Sequence, residues 1–172
     1  MNTTHPAGPG LEHLTGTQYL TLVAALGCGL AGGVFFAFSS FVMSGLDRLP
    51  PAQAIAAMQS INVTAVRPAF MLLLFGTAAA TLPLVVTALR HRDGAGSTLL
   101  IVGALLYLIG TIGLTIAHHV PMNDRLAAIS PSGAGAAAHW HDYVTGWTRW
   151  NHLRAGSSLG AAVAFTLALV RG

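Results

Sequence analysis

Hydrophobic and polar positions fall into long blocks along this chain, not into the two-residue alternation of strands or the single stripe of a soluble helix. Three blocks, residues 18–43, 69–89 and 97–117, contain no charged side chain, and about 20 apolar residues carry one helix across the hydrocarbon core of a bilayer. A fourth block, Ala155 to Val170, is only 16 residues long. It spans only if its helix starts earlier, inside "YVTGWTRWNHLR", with Trp147 and Trp150 in the interfacial belt and Arg154 reaching toward the headgroups. The fourth span is therefore expected at about 150–170. The pattern predicts an all-α fold: one domain over residues 17–172, built as a four-transmembrane-helix bundle, after a flexible N-terminal tail over residues 1–16.

The polar segments between the blocks are unequal. "RHRDGAG" joins the second and third spans as a tight turn, which makes them antiparallel neighbours. Residues 44–68 and 118–153 are long, and four passes put both on one side of the membrane with both termini on the other. The first of these excursions reads as a short helix, with Pro51 in its first turn and Pro68 closing the segment. In the second, Pro121 is expected to stop the third helix, "SPSGAG" marks a turn, and helix resumes from about His139. Two Gly-x-x-x-Gly pairs, Gly29 with Gly33 and Gly156 with Gly160, predict close packing of the first and last spans.

Composition strengthens the membrane reading. The chain is 53% hydrophobic and 8% charged, with a mean hydropathy of +0.65, where soluble domains are about a quarter charged. The eight basic residues are all arginine, against five acids, and they are scattered, so neither a nucleic-acid patch nor a polybasic anchor forms. Cys28 is the single cysteine, which excludes a disulfide framework. The N-terminus has no basic leader before its apolar block, so the first span is expected to be retained. Arg90, Arg92 and Arg171 place the termini and the tight turn in the cytoplasm, in the plasma membrane of a bacterium, although arginines on the other face outnumber them.

Chemistry is confined to the excursions. On a helix from residue 140 onward, Tyr143, Trp147, Asn151, Arg154 and Ser158 share one stripe, while His141, Thr145, Thr148 and His152 form its neighbour. Asn151 and Arg154 enter the membrane boundary, where unpaired polar groups cost several kcal/mol. Partners are expected among Gln59, Asn62, Asn123, Asp124 and Asp142. The set is either a structural collar or a polar pocket open at one mouth. In both cases Asn62, Asn123 and Asn151 are expected to converge on one polar site. Five histidines, His118, His119, His139, His141 and His152, lie on that side, but their spacing matches no metal motif. No metal is expected, with a site at His118, His119 and His152 kept open as the alternative.

Four segments in order, "FFAFSSFVMSGL" (35–46), "AMQSIN" (57–62), "VPMNDRLA" (120–127) and "WTRWNHLR" (147–154), separated by the four apolar spans, carry a resemblance. The sequence resembles the anthrone-oxygenase-like family of small membrane proteins over residues 20–170. Its name comes from members that oxidise anthrones to anthraquinones with molecular oxygen. The resemblance implies that Asn62, Asn123, Trp147, Asn151 and Arg154 belong to a shared polar core. It leaves His119 and His152 unassigned.

An anthrone gives up a methylene proton to form a delocalised anion that reacts with oxygen, so such a site needs a base, oxyanion donors and an apolar slot. His119 or His152 would supply the base. Arg154, Asn151, Asn123 and the Trp147 indole N–H would hold the anion, with Gln59 and Asn62 as further substrate contacts and Phe35, Phe36 and Phe38 as the slot. No flavin or nicotinamide fingerprint is present; no cofactor is expected, with oxygen as co-substrate. The expected partners are a hydrophobic small molecule, the lipid bilayer and a second copy of the chain, with no nucleic acid. The competing reading is a non-enzymatic membrane protein that binds a small hydrophobic molecule or serves as a subunit of a larger assembly.

Overall fold

The computed structural model describes residues 14–91 and 94–171; the expected tail lies mostly outside them, as do Arg92 and Asp93 of the tight turn. These residues form five helices and no strand: α1 (Gly16–Leu46), α2 (Pro51–Ala65), α3 (Pro68–Arg90), α4 (Ala95–Ala127) and α5 (Ala136–Arg171). Four of them, all except α2, are long and apolar enough to cross a bilayer, which fits an integral membrane protein. Local chemistry sets the ends. Thr15 and Gln18 close a reciprocal capping box at the start of α1. Pro51 and Pro68 open α2 and α3, each after a residue with extended ψ, where the missing N–H costs nothing.

At 36 residues, α5 is about 54 Å long against a hydrocarbon core of about 30 Å. It is long enough to cross the bilayer and continue beyond it, and it begins at Ala136, close to His139 where helix was expected to resume and ahead of the span expected at 150–170. The excess length supports a second, smaller core outside the bundle. Ala54, Ile55 and Met58 of α2 pack there on Leu126 of α4 and on Trp140, Tyr143 and Trp147 of α5. The larger core runs through the spans, around Cys28, Phe35, Leu84, Tyr107 and Phe165. Gln59 ties α2 down by donating to two carbonyls at the end of α4, Leu126 (2.8 Å) and Ile129 (2.9 Å).

Two expectations need correction. Pro121 does not stop the third span; α4 runs through it to Ala127. The turn just before it, Thr115–His119, is π-helical. Proline brings no N–H to the ladder, and a widened turn immediately before it shifts the neighbouring hydrogen bonds, so helix continues past a residue that usually ends one. The first and last spans do share the most extensive contact in the bundle, but of the expected glycines only Gly29 faces it, with a Cβ there 3.9 Å from Ala162, while Gly160 packs on Leu106. A Cβ on Gly33 or Gly156 would meet nothing within 4 Å, whereas one on Gly32 would lie 2.8 Å from the Leu159 side chain. Gly27 against Thr77, Gly103 against Phe165 and Gly110 against Ser157 are the other approaches that would bring a Cβ under 3 Å.

Candidate functional site

Between the two cores lies a cavity of about 440 Å³, inside the range of about 300–1,000 Å³ typical of small-ligand sites. Its walls are largely apolar: Phe35 and Phe38 from α1, Met58 and Ile61 from α2, Phe70, Met71 and Leu74 from α3, and Trp147 from α5. Its polar groups are few, chiefly Asn62, Thr115, His119, Asn123 and Arg154. Three spans meet the cavity at π-helical turns, Phe38–Val42, Leu72–Gly76 and Thr115–His119, which supply Phe38, Leu74, Thr115 and His119 to its lining. A π-helical turn adds a residue to the helical repeat and redirects the side chains after it, which is why such turns recur at functional sites.

Arg154 dominates the electrostatics. It is 5% exposed, and its guanidinium lies 3.9 Å from the centroid of the Phe35 ring. Its Nε (3.1 Å) and Nη2 (2.6 Å) donate to Asn151 Oδ1, and its Nη1 (3.2 Å) donates to Thr115 Oγ1. All these partners are neutral, and no carboxylate pairs with it among the described residues. A guanidinium carries five N–H groups, so one on each Nη is left uncommitted beside the cavity. Asn151 is buried behind Arg154, with its amide nitrogen donating to the Phe35 carbonyl and to Ser39 Oγ, both at 2.7 Å. That pair of bonds fixes the amide's orientation, and hence that of the carbonyl oxygen that aims the arginine.

His119 is buried in the same wall. Its Nδ1 bonds the Leu114 carbonyl at 3.2 Å; a carbonyl only accepts, so Nδ1 carries the proton. Nε2 then carries the lone pair, buried and without a partner of hydrogen-bond geometry, with the Trp147 backbone also close to the ring. The ring stands edge-on to Trp147 at 5.1 Å. Asn123 Oδ1 accepts from both Tyr143 Oη (2.8 Å) and Trp147 Nε1 (3.1 Å). Its amide nitrogen is therefore turned away and takes no partner among the described residues. Asn62 Nδ2 is likewise buried without a partner of hydrogen-bond geometry, close to the Tyr143 hydroxyl. The cavity thus offers several N–H donors, one positive charge without a counter-ion and one imidazole lone pair, an arrangement suited to an oxygen-bearing, electron-rich ligand.

The expected stripe on α5 holds: Tyr143, Trp147, Asn151, Arg154 and Ser158 are all buried. Asn62, Asn123, His119, Trp147 and Arg154 come together at the cavity. Other candidates fall elsewhere. Phe36 is 58% exposed and points out of the bundle, while Phe35 and Phe38 face the cavity. His152 is exposed and borders a separate outer groove with Asp47 and Arg149. Gln59 is a tie between excursions and does not line the cavity. Trp147 contributes its ring, since its N–H is committed to Asn123. The histidines do not converge: His118 stacks on Trp150 at 3.7 Å, and no group of three potential metal ligands forms among the described residues. The expected partners of Arg154 were also misplaced. Thr115, Phe35 and Ser39, which complete its network, sit inside apolar blocks where sequence offers no signal beyond helical register.

Fold and site define a helical membrane protein with a polar-lipped apolar cavity of small-ligand size at one end of a four-span bundle. The chain belongs to the anthrone oxygenase family, which matches residues 63–164, more than half of its length. No curated protein and no solved structure matches it.

Proposed function

We propose that this protein is a membrane oxidoreductase that oxidises a hydrophobic, anthrone-like aromatic substrate with molecular oxygen in the cavity between α1–α5. The observation that carries the reading is a buried arginine with only neutral partners, set in the same wall as a histidine whose Nε2 lone pair is free. A buried cation without a counter-ion favours a ligand that becomes an anion. His119 Nε2 takes the methylene proton, and the charge left on the substrate delocalises onto its ring carbonyl. The two uncommitted N–H groups of Arg154 and the amide of Asn123 hold that oxyanion.

The electron-rich carbon then reacts with oxygen. The anion gives up electrons to oxygen and forms a C–O bond; the imidazolium returns its proton to the distal oxygen, giving a hydroperoxide at that carbon. Loss of water converts C–H and O–OH into C=O, so one oxygen is consumed, one atom stays as the new carbonyl and the other leaves as water. Phe35, Phe38 and Trp147 pack against the rings and keep bulk water out.

We place the protein in the plasma membrane of a bacterium with the termini cytoplasmic, on the basis of Arg90, Arg92 and Arg171 at that end. The test of function is oxygen uptake by the purified protein on a simple anthrone. Uptake that depends on His119 and Arg154 supports the oxygenase; anthrone binding without uptake supports a non-enzymatic binding protein.

A further inference from the structure

We propose that the cavity is loaded sideways from the bilayer, through a portal rimmed by Val66, Met71 and Val120, and that its ligands are compounds dissolved in the membrane in uncharged form. The proposal rests on reading the cavity as a substrate site. Val66 and Val120 both line the cavity, yet are 66% and 46% exposed, so the enclosure opens between them. They belong to different elements: Val66 follows α2 and Val120 lies in α4, with Met71 in the first turn of α3 beside them.

The outer surface around this opening is apolar. Val63, Leu72 and Ile116, near the rim in sequence, are also exposed, so α2, α3 and α4 each present an apolar side chain outward close to it. Exposed Arg67 directly follows Val66, which sets the rim at the boundary between headgroups and acyl chains. The cavity has a second, polar edge at Ser60 and Thr64 of α2, also exposed. A fused aromatic ring system concentrates in the bilayer because its apolar area avoids water, so the apolar edge is the one it meets. Entry in neutral form follows, since a charged species is costly in hydrocarbon; ionisation then occurs only beside Arg154.

A portal residue controls rates without controlling the equilibrium, and that separates it from a wall residue. Anthrone binding to the protein in lipid nanodiscs is followed by stopped-flow quenching of tryptophan fluorescence, using Trp147 in the cavity wall. Val120→Phe should slow association and release together, each by a larger factor than any change in Kd, while Ser60→Phe on the polar edge should slow neither. The reverse pattern overturns the portal and assigns entry to the aqueous edge.

A second measurement is independent of any anthrone binding. A fluorophore on Val66→Cys, the buried Cys28 being protected, should be quenched by doxyl-labelled phosphatidylcholine and not by iodide. Quenching by iodide alone places the rim in water and overturns the proposal. If anthrone neither binds nor turns over while the fluorophore is lipid-quenched, the assigned reaction fails and the bilayer-facing portal stands.

Discussion

Replacing Arg154 with methionine separates its two roles. Methionine keeps the length and apolar stem but removes the charge and three hydrogen bonds, two to Asn151 and one to Thr115. Asn151 Oδ1 then loses its donors in a dry site, at a cost of about 1–3 kcal/mol. Relief of a buried charge that has no carboxylate offsets part of this. The net loss should stay within about 3 kcal/mol, or roughly 6–12 °C in Tm at about 2–4 °C per kcal/mol for a chain of this size. The catalytic effect is separate and larger: loss of an oxyanion donor typically costs about 100- to 1,000-fold in rate. Arg154→Lys retains charge without the planar fork and should recover part of that loss. Thermal unfolding in detergent and oxygen uptake on anthrone read the two quantities from one preparation. An Arg154→Met protein with wild-type kcat/KM and a much lowered Tm would show that the arginine ties helices together and holds no oxyanion.

His119→Ala should lower kcat by about 100- to 10,000-fold, the usual worth of a general base, while His152→Ala, in the outer groove, should leave kcat and KM unchanged in the same assay. Asn151→Leu strips Arg154 of its main acceptor and should cost about 2–4 kcal/mol, seen as a lowered Tm. Gly27→Ala drives a methyl into Thr77 and should lose about 1–3 kcal/mol in a thermal scan. Gly33→Ala, in open space, should be neutral or gain up to about 1 kcal/mol. Cysteine at Ser97 should react with membrane-impermeant maleimide only after cells are opened; labelling of intact cells reverses the topology.

The architecture was legible because it rests on block hydropathy. Four uncharged runs need no tertiary information, and the α5 stripe follows from helical period alone, which is why Asn151 and Arg154 could be placed on one buried face before any contact was known. Period does not say which way a helix end is turned. Phe35, Phe36 and Phe38 are equivalent in composition, and only the packing of α1 against α5 selects the first and third for the cavity. The remaining partners of Asn151 and Arg154 were illegible for a related reason: Phe35 contributes a carbonyl to Asn151, and Ser39 and Thr115, which accept from Asn151 and Arg154, are small hydroxyls of the kind that most spans carry. Pro121 misled because local rules treat proline as a stop, while the π-helical turn before it arises from the whole bundle. The paired glycines misled because spacing identifies a motif but not its face; Gly32, one residue from Gly33, makes the contact.

The most direct measurement of the central claim is oxygen consumption by the purified protein in nanodiscs with anthrone, with anthraquinone quantified in parallel. Uptake above the spontaneous rate is expected, with one anthraquinone formed per oxygen consumed and near-complete loss of both in His119→Ala and Arg154→Met proteins that remain folded. Uptake no faster than anthrone autoxidation in empty nanodiscs, or undiminished uptake in both folded variants, would contradict it.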